Sequence, residues 1–291
     1  MINVSIIVIN YNTKEYTKNC IDSIIRYTKD ISFEIILIDN GSDESIDDLI
    51  PLFKTHPVII KYFKNDKNLG FAAANNEAAN IATGRYIFLL NNDTILYENT
   101  IKILHENILS GSKGTIISPI IKYFDKKDKI WFAGRRINLS IGKTYPIDPE
   151  GKVKTQYITG CALMISKVLY MKMGGFDEKY FCYYEDTDLS MRLLKEGGSL
   201  EIVTSTAIYH KVSASAGGEN HSPWKIYYKT RNRFYFIRKF NKYYYFNYLL
   251  LLSLNFKFLS GEIIKRRNLK CAMAIITGIR DYFFGRMGHT R

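Results

Sequence analysis

Two short stretches hold more acids and amides than their own folding needs. In FLLNNDTI, residues 88–95, three apolar residues lead into Asn91, Asn92 and Asp93 before the apolar pattern resumes. A buried strand that ends in two amides and an acid implies something polar beyond its end. Paired carboxylates at such a place can hold a divalent metal against a nucleoside diphosphate. Here only Asp93 is acidic, so the stretch is either a one-acid metal site or a polar turn. The second stretch, YYEDTDLSMRLLKEGG, puts Glu185, Asp186 and Asp188 in the first turn of a helix that Gly197-Gly198 closes. Acids there suit the positive end of the helix dipole, and one can serve as an N-cap. That structural role accounts for one acid better than for three. A carboxylate facing a pocket from a helix start can act as a general base.

The elements that would position these residues alternate. VSIIVIN (4–10) and FEIILID (33–39) are short, β-branched apolar runs, the pattern of strands buried on both faces of a parallel sheet. Between them, Lys14 to Tyr27 carries Tyr16, Cys20, Ile24 and Tyr27 at helical spacing. VIIKYFKN (58–65) predicts a third strand, NEAANIATG (76–84) a helix with Gly84 at its C-cap, and YIFLLNN (86–92) a fourth strand. Strand and helix repeated this way predict a doubly wound, mostly parallel α/β sheet, whose ligands bind beyond the carboxyl ends of the strands. Four such ends are polar: Asn10-Tyr11-Asn12, Asp39-Asn40-Gly41-Ser42, Asn68-Leu69-Gly70-Phe71 and Asn91-Asn92-Asp93. Each alone is an ordinary turn; four on one rim predict a site. No GxGxxG follows the first strand, and neither GxxxxGKS nor GxxxxGKT occurs, which counts against dinucleotide oxidoreductases and P-loop NTPases.

The 291 residues, 46% of them hydrophobic, suffice for one large domain or a domain with an appendage. Cys20, Cys161, Cys182 and Cys271 show no CxxC spacing and read as buried hydrophobes in a reducing compartment. The first residues, MINVSIIVINYN, read as a strand rather than a secretory signal. The net charge of +13 is uneven: residues 1–220 balance 26 basic against 26 acidic side chains, while residues 221–291 hold 15 basic against Glu262 and Asp281. A domain border is therefore expected near residue 220.

The ordered set NYN, DNGSDES, NLGFAAANN, LLNND, GGFDEKYF, YYEDTDLSMR and YHKVSAS resembles the inverting glycosyltransferases of family 2, which have the GT-A fold. The later YYKTRNR resembles their rhamnosyltransferase-type branch. The resemblance implies that Asp39 hydrogen-bonds the pyrimidine of a nucleotide donor. It implies that Asn10 and Asn12 line the same pocket, with Asn68 and Gly70 beside the nucleotide and Asn75 within reach. Asn91 and Asp93 fall where the family usually writes DxD. Asp93 would hold Mg²⁺ or Mn²⁺, and Asn91 would meet a ribose hydroxyl or a metal-bound water. One acid can suffice, because Mg²⁺ takes one or two carboxylates plus substrate phosphates; weak metal binding without donor is the expected result. His210 matches a position that contacts the metal or the leaving diphosphate, against the plainer reading of a structural histidine at a strand end. Asp186 matches the general base, with Glu185 and Asp188 in support, one orienting and one capping. Trp131 and the Gly160-Cys161 turn would line the sugar or acceptor pocket, although Trp131 equally suits a core.

The basic quarter opens with Ser222 as N-cap and Pro223 at the first helical position. Trp224, Tyr227, Tyr228, Phe234 and Tyr235 share a helical stripe with Arg231, which can face the diphosphate. The longest uncharged run, residues 243–256, is 14 long, short of the ~20 apolar residues of a membrane span. Lys265-Arg266-Arg267 and Lys270 follow. Basic clusters beside aromatic and Leu-rich helices suit an anionic bilayer, at ~1 kcal/mol per Lys or Arg. The expectation is a GT-A catalytic domain over 1–220, with a nucleotide half to about 95 and an acceptor half from about 96. A basic, aromatic helical extension over 221–291 would then touch the inner face of the cell membrane from the cytoplasm. The expected activity is inverting, metal-dependent transfer from a dTDP- or UDP-linked sugar, rhamnose first, to a saccharide or lipid-linked acceptor in bacterial polysaccharide or cell-wall synthesis. Two other classes compete. A single-strand nucleic-acid binder would use the basic quarter, but the acids Asp39, Asp93 and Asp186 on the rim oppose nucleic acid there. A sugar nucleotidylyltransferase would need a Gly-rich basic loop after the first strand, where NYNTKEYTKNC stands.

Overall fold

The computed structural model describes residues 2–53, 55–56, 58–111, 114–148, 151, 154–211, 222–265 and 267–289. Its strands are β1 (Val4–Asn10), β2 (Phe33–Asp39), β3 (Ile59–Lys64), β4 (Tyr86–Leu90), β5 (Thr94–Ile95) and β6 (Thr115–Tyr123). They continue with β7 (Ile130–Phe132), β8 (Arg135–Asn138), β9 (Lys143–Pro146), β10 (Ala162–Ser166) and β11 (Ser199–His210). The helices are α1 (Lys14–Tyr27), α2 (Leu49–Phe53), α3 (Gly70–Ile81), α4 (Thr100–Ser110), α5 (Lys167–Lys172), α6 (Glu185–Lys195), α7 (Pro223–Phe240), α8 (Tyr244–Ser260) and α9 (Leu269–Phe283).

One sheet runs β3-β2-β1-β4-β10-β6-β11-β5, with β7 on β6. The first four strands are parallel; β10 then runs antiparallel to both β4 and β6. Alternation along the strands splits the core in two. Val4, Ile6 and Val8 of β1 and Phe88 of β4 pack with Cys20, Ile21 and Ile24 of α1 and with α4. Ile7, Ile36 and Leu89 point the other way, onto the alanines of α3 and onto Leu189 and Leu193 of α6. Helices on both faces and buried β-branched strands are the doubly wound α/β layout expected. The predicted bounds of β1, β2 and α1 hold to the residue. All four cysteines are buried thiols.

Two details differ. Helix α3 starts at Gly70, six residues before the apolar pattern announced it, and ends at Ile81. Gly84 does not cap it. A Cβ on Gly84 would meet the Ser5 backbone nitrogen at 2.5 Å, so glycine there lets the α3–β4 connection press against β1. The expected border near residue 220 lies outside the described residues. On its far side, α7 joins Tyr180, Phe181 and Cys182 in common aromatic clusters with α8 and α9.

Candidate active site

Parallel pairing sets Asn10, Asp39 and Lys64 side by side at the carboxyl edge of the sheet. Asp39 is fully buried there. Its Oδ1 accepts from Asn10 Nδ2 at 3.0 Å and from Ser42 Oγ, while Oδ2 has no partner among the described residues. An orphaned buried acceptor at a strand end suits a ligand donor. Asn10, expected to line the pocket with Asn12, is buried and bonded to protein, while Asn12 is exposed and bonded to Asp43. Asn10 Oδ1 accepts from Thr17 at 2.8 Å, and Asn12 brackets Asp43 with two bonds of 2.8 and 2.9 Å. They position the Asp39 loop. Asn68 Oδ1 accepts from Gly70 N–H and from Asn40, starting α3. Gly70 has φ +88°, and a Cβ there would meet the Phe181 ring at 2.4 Å. Asn75 is buried, and its amide donates back to Phe71 within α3.

The three polar residues after β4 divide their work. Asn92 is buried and donates to Thr13 and Thr17 at the start of α1. Asn91 gives its backbone N–H to Cys161 O at 2.9 Å, and its half-buried side chain has no hydrogen bond to a described residue. Asp93 is buried opposite His210, because β5 pairs with the end of β11. His210 Nε2 lies 3.1 Å from Asp93 Oδ1 without hydrogen-bond geometry, leaving Asp93 Oδ1 and His210 Nδ1 unsatisfied. Burial by itself would lower the imidazole pKa; the Cys161 sulfur and the Asp93 carboxylate overcome it and raise it to about 10. Asp93 Oδ1, a buried hard oxygen without a hydrogen bond, fits a divalent ion that draws its remaining ligands from phosphate and water, and such an ion would have to displace the His210 proton before the imidazole could join it. No set of three acidic, Cys or His ligands converges among the described residues. Trp131 packs edge-on against His210, ring centres 4.4 Å apart. Lys225 is buried at the start of α7, where burial lowers its pKa and the Asp93 charge opposes that.

Across the turn from this pair stands the acidic helix start. Asp186 Oδ2 accepts from Tyr157 Oη and from Gly160 N–H, both at 2.9 Å. Oδ1 accepts from the Thr187 N–H and hydroxyl. Burial pushes the Asp186 pKa up, and these hydrogen bonds hold it back. Glu185 is buried with Oε2 unsatisfied, and burial together with the Asp186 charge raises its pKa well above the usual range. A carboxyl with a raised folded-state pKa keeps its proton after the unfolded chain has lost it. Native stability therefore falls as pH rises past the ordinary carboxylate range. Glu185→Gln is expected to raise the unfolding midpoint at about pH 7, with the gain shrinking toward about pH 4; thermal scans at both values check it. Asp188 does not cap the helix. It accepts from Tyr180 Oη at 3.0 Å and pairs with Arg192 and Lys239, the last reaching across from α7 at 2.7 Å.

The loop before α6 bends through left-handed backbone at Phe181, Tyr183 and Tyr184 (φ +65°, +64° and +80°). Each bulky residue there costs about 1–3 kcal/mol unless its surroundings hold it. They do: Asn232 Nδ2 donates to the carbonyls of Tyr180, Cys182 and Tyr183 at 2.7–2.9 Å. Arg231 adds bonds to the carbonyls of Tyr180, Lys179 and Gly288 and lies over the Tyr227 and Tyr228 rings. Arg231, expected to face the diphosphate, is thus fully buried and holds this loop instead. Asn232 and Tyr157 escaped the sequence reading. The one signal for Asn232 was an amide on an aromatic stripe; Tyr157 lacked any, since its partner lies 29 residues away.

The fold is shared with solved glycosyltransferases. The mannosyltransferase PcManGT from Pyrobaculum calidifontis, in complex with GDP-Man and Mn²⁺, superposes with a TM-score of 0.63 at 14% identity, over 98% of this chain and 88% of its own. GalNAc-T7 with UDP, GalNAc and Mn²⁺ gives 0.61 at 17%, over 80% and 51%. The architecture is therefore that of a GT-A glycosyltransferase. The chain belongs to glycosyltransferase family 2, whose profile matches residues 5–174; a profile described as the N-terminal domain of galactosyltransferase matches residues 148–214. The dTDP-rhamnosyl transferase RfbF of Shigella flexneri is 24% identical over 247 residues, 81% of this chain and 80% of that protein, which supports the rhamnosyltransferase-like branch. Shorter segments match the glycosyltransferase GlyG of Streptococcus pneumoniae (26% over 129 residues; 44% of this chain, 42% of that protein). An uncharacterised glycosyltransferase of Methanocaldococcus jannaschii matches likewise (39% over 156 residues; 53% and 46%), so the chain spans under half the length of either.

Proposed function

We propose that this chain is an inverting transferase. It moves a sugar from a dTDP- or UDP-linked donor, rhamnose first, to a saccharide or lipid-linked acceptor in bacterial polysaccharide or cell-wall assembly. The observation that carries this reading is the setting of Asp186. It is a buried carboxylate held by four donor groups and joined through Gly160-Cys161 to the Asp93–His210 pair. The likeness to a dTDP-rhamnosyl transferase supports the sugar and the nucleotide.

The pyrimidine would meet the unsatisfied Asp39 Oδ2 with its imide N–H, steadied by the loop that Asn10 and Asn12 hold. Asn68 and Gly70 shape the adjoining turn, and Asn91 offers its amide to the ribose. Asp93 and His210 would hold Mg²⁺ or Mn²⁺, which when bound neutralises charge on the leaving diphosphate. Lys225 supports the same charge. The acceptor oxygen bonds to the anomeric carbon on the face opposite the diphosphate. The bond to the diphosphate oxygen breaks with its electron pair, and the hydroxyl proton passes to Asp186. Burial and the Asp186 charge raise the Glu185 pKa, which favours its neutral form beside the base. Trp131, Gly160 and Cys161 line the sugar side.

Thermal unfolding with UDP, dTDP or GDP, each with and without Mn²⁺, tests the reading. At a ligand concentration of 100 Kd a native-state ligand adds about 2.7 kcal/mol of apparent stability. Metal-dependent stabilisation by UDP or dTDP, lost in Asp93→Ala, is expected. Stabilisation indifferent to metal would reduce Asn91–Asp93 to a polar rim, and none with any nucleotide would overturn the assignment.

A further inference from the structure

The last two helices carry an apolar surface that glycosyl transfer does not use. On α8, Tyr245, Phe246, Leu249 and Phe256 are each about 70% exposed or more, while Tyr248, Leu251 and Asn255 turn inward. On α9, Leu269, Met273, Ile276 and Phe283 recur at intervals of four, three and seven residues on the outer side, while Cys271, Ala272 and Ile275 are buried. A groove of about 450 Å³ separates the two stripes, walled by Leu252 and Phe256 on one side and by Ile275, Ile276 and Ile279 on the other. Continuous exposed apolar surface of this kind marks an interaction site.

Charge decides the occupant. The only acids after residue 221 are Glu262 and Asp281, and both are buried. Lys242, Lys257, Arg267, Lys270, Arg280 and Arg286 are exposed, so among the described residues from 222 on every exposed charged side chain is positive. A second copy on this face would bring two basic rims together. An anionic surface meets the same rim favourably. No described helix is long and apolar enough to cross a membrane, which leaves the helices in the interfacial plane. We propose that α8 and α9 bind an anionic lipid bilayer. Phe246, Leu249 and Phe256 enter the acyl boundary, one hydrocarbon chain fills the groove, and the lysines and arginines sit at headgroup level. This goes beyond the transfer reaction and stands whether or not the donor assignment holds.

The test is co-sedimentation of the full chain with unilamellar vesicles of phosphatidylcholine alone or mixed equally with phosphatidylglycerol, at low and high salt. Binding to the anionic vesicles should be at least about tenfold tighter and should weaken with salt. Phe246→Ser combined with Leu249→Ser and Met273→Ser should lose about tenfold or more. Its circular dichroism and unfolding midpoint should match the parent. Lys257→Glu with Lys270→Glu should remove the lipid preference while leaving the apolar stripes intact. Parent protein that ignores anionic vesicles at low salt, or apolar variants that bind as well as the parent, would overturn the proposal. So would a stable dimer in solution that the apolar variants split.

Discussion

Asp186→Asn is expected to lower the turnover of sugar transfer by roughly 10²- to 10⁴-fold, the usual contribution of a positioned general base. Donor binding should persist, because the substituted carboxylate bonds Tyr157, Gly160 and Thr187 and makes no bond to Asp39, Asp93 or His210, the residues that would meet the nucleotide. Turnover and the nucleotide-induced thermal shift, measured on the same preparation, separate the two. A variant that transfers sugar at the parent's rate would exclude Asp186 as the base. Tyr157→Phe sharpens the assignment. The Tyr157 hydrogen bond lowers the Asp186 pKa, so its removal raises that pKa further above the ordinary value. The base must be ionised to act, so the acidic limb of the rate–pH profile should move to higher pH in Tyr157→Phe while the plateau changes less. A residue with a purely structural role would reduce the plateau and leave the limb where it was.

Asn232→Ala should also be damaging, although Asn232 touches neither donor nor acceptor in the proposed scheme. Its amide donates to the Tyr180, Cys182 and Tyr183 carbonyls, in the stretch where Phe181, Tyr183 and Tyr184 hold positive φ. Leaving a buried carbonyl without its donor costs about 1–3 kcal/mol, and the strained loop gains reason to relax. Because α6 begins at its end, Glu185 and Asp186 would shift with it. The expected result is a lower unfolding midpoint and a turnover reduced by about tenfold or more at temperatures where the variant stays folded, with nucleotide affinity unchanged. Hydrogen exchange over residues 180–184 should rise. If turnover per folded molecule is preserved, the clamp serves stability alone.

Local patterns made much of this readable in advance. The runs VSIIVIN and FEIILID are seven residues long, β-branched and apolar on both faces, which favours a buried strand over a buried helix segment, and their ends match the structure to the residue. The polar strand ends followed from the same logic, since amides and acids at the exits of apolar strands need a reason. What stayed hidden depends on contacts between distant segments. The early start of α3 is set by Asn68 Oδ1 on the Gly70 N–H, in a stretch whose Asn and Gly read as loop. Gly84 looked like a cap because its demand for space comes from Ser5, 79 residues earlier. Arg231 on an aromatic stripe invited a ligand, whereas carbonyls from residues 179 and 180 had already claimed it. Sequence spacing carries no trace of such partners.

Gly160 and Cys161 are neighbours on one turn. The N–H of the first holds Asp186, while the carbonyl of the second holds the Asn91 backbone, two residues before Asp93. In an in-line displacement the entering and leaving oxygens stand on opposite sides of a single carbon. The two groups that would serve them are therefore gauged against each other by a single stretch of backbone. Such a gauge fixes the thickness of whatever lies between and is blind to the ring's outer substituents. The β8–β9 hairpin supplies neither of these two bonds, so this excursion can change its length and side chains without removing them. Relatives that keep the turn but rebuild the excursion should accept different sugars and acceptors while sharing one stereochemical outcome. A chimera exchanging only that excursion would be the way to read the two properties apart.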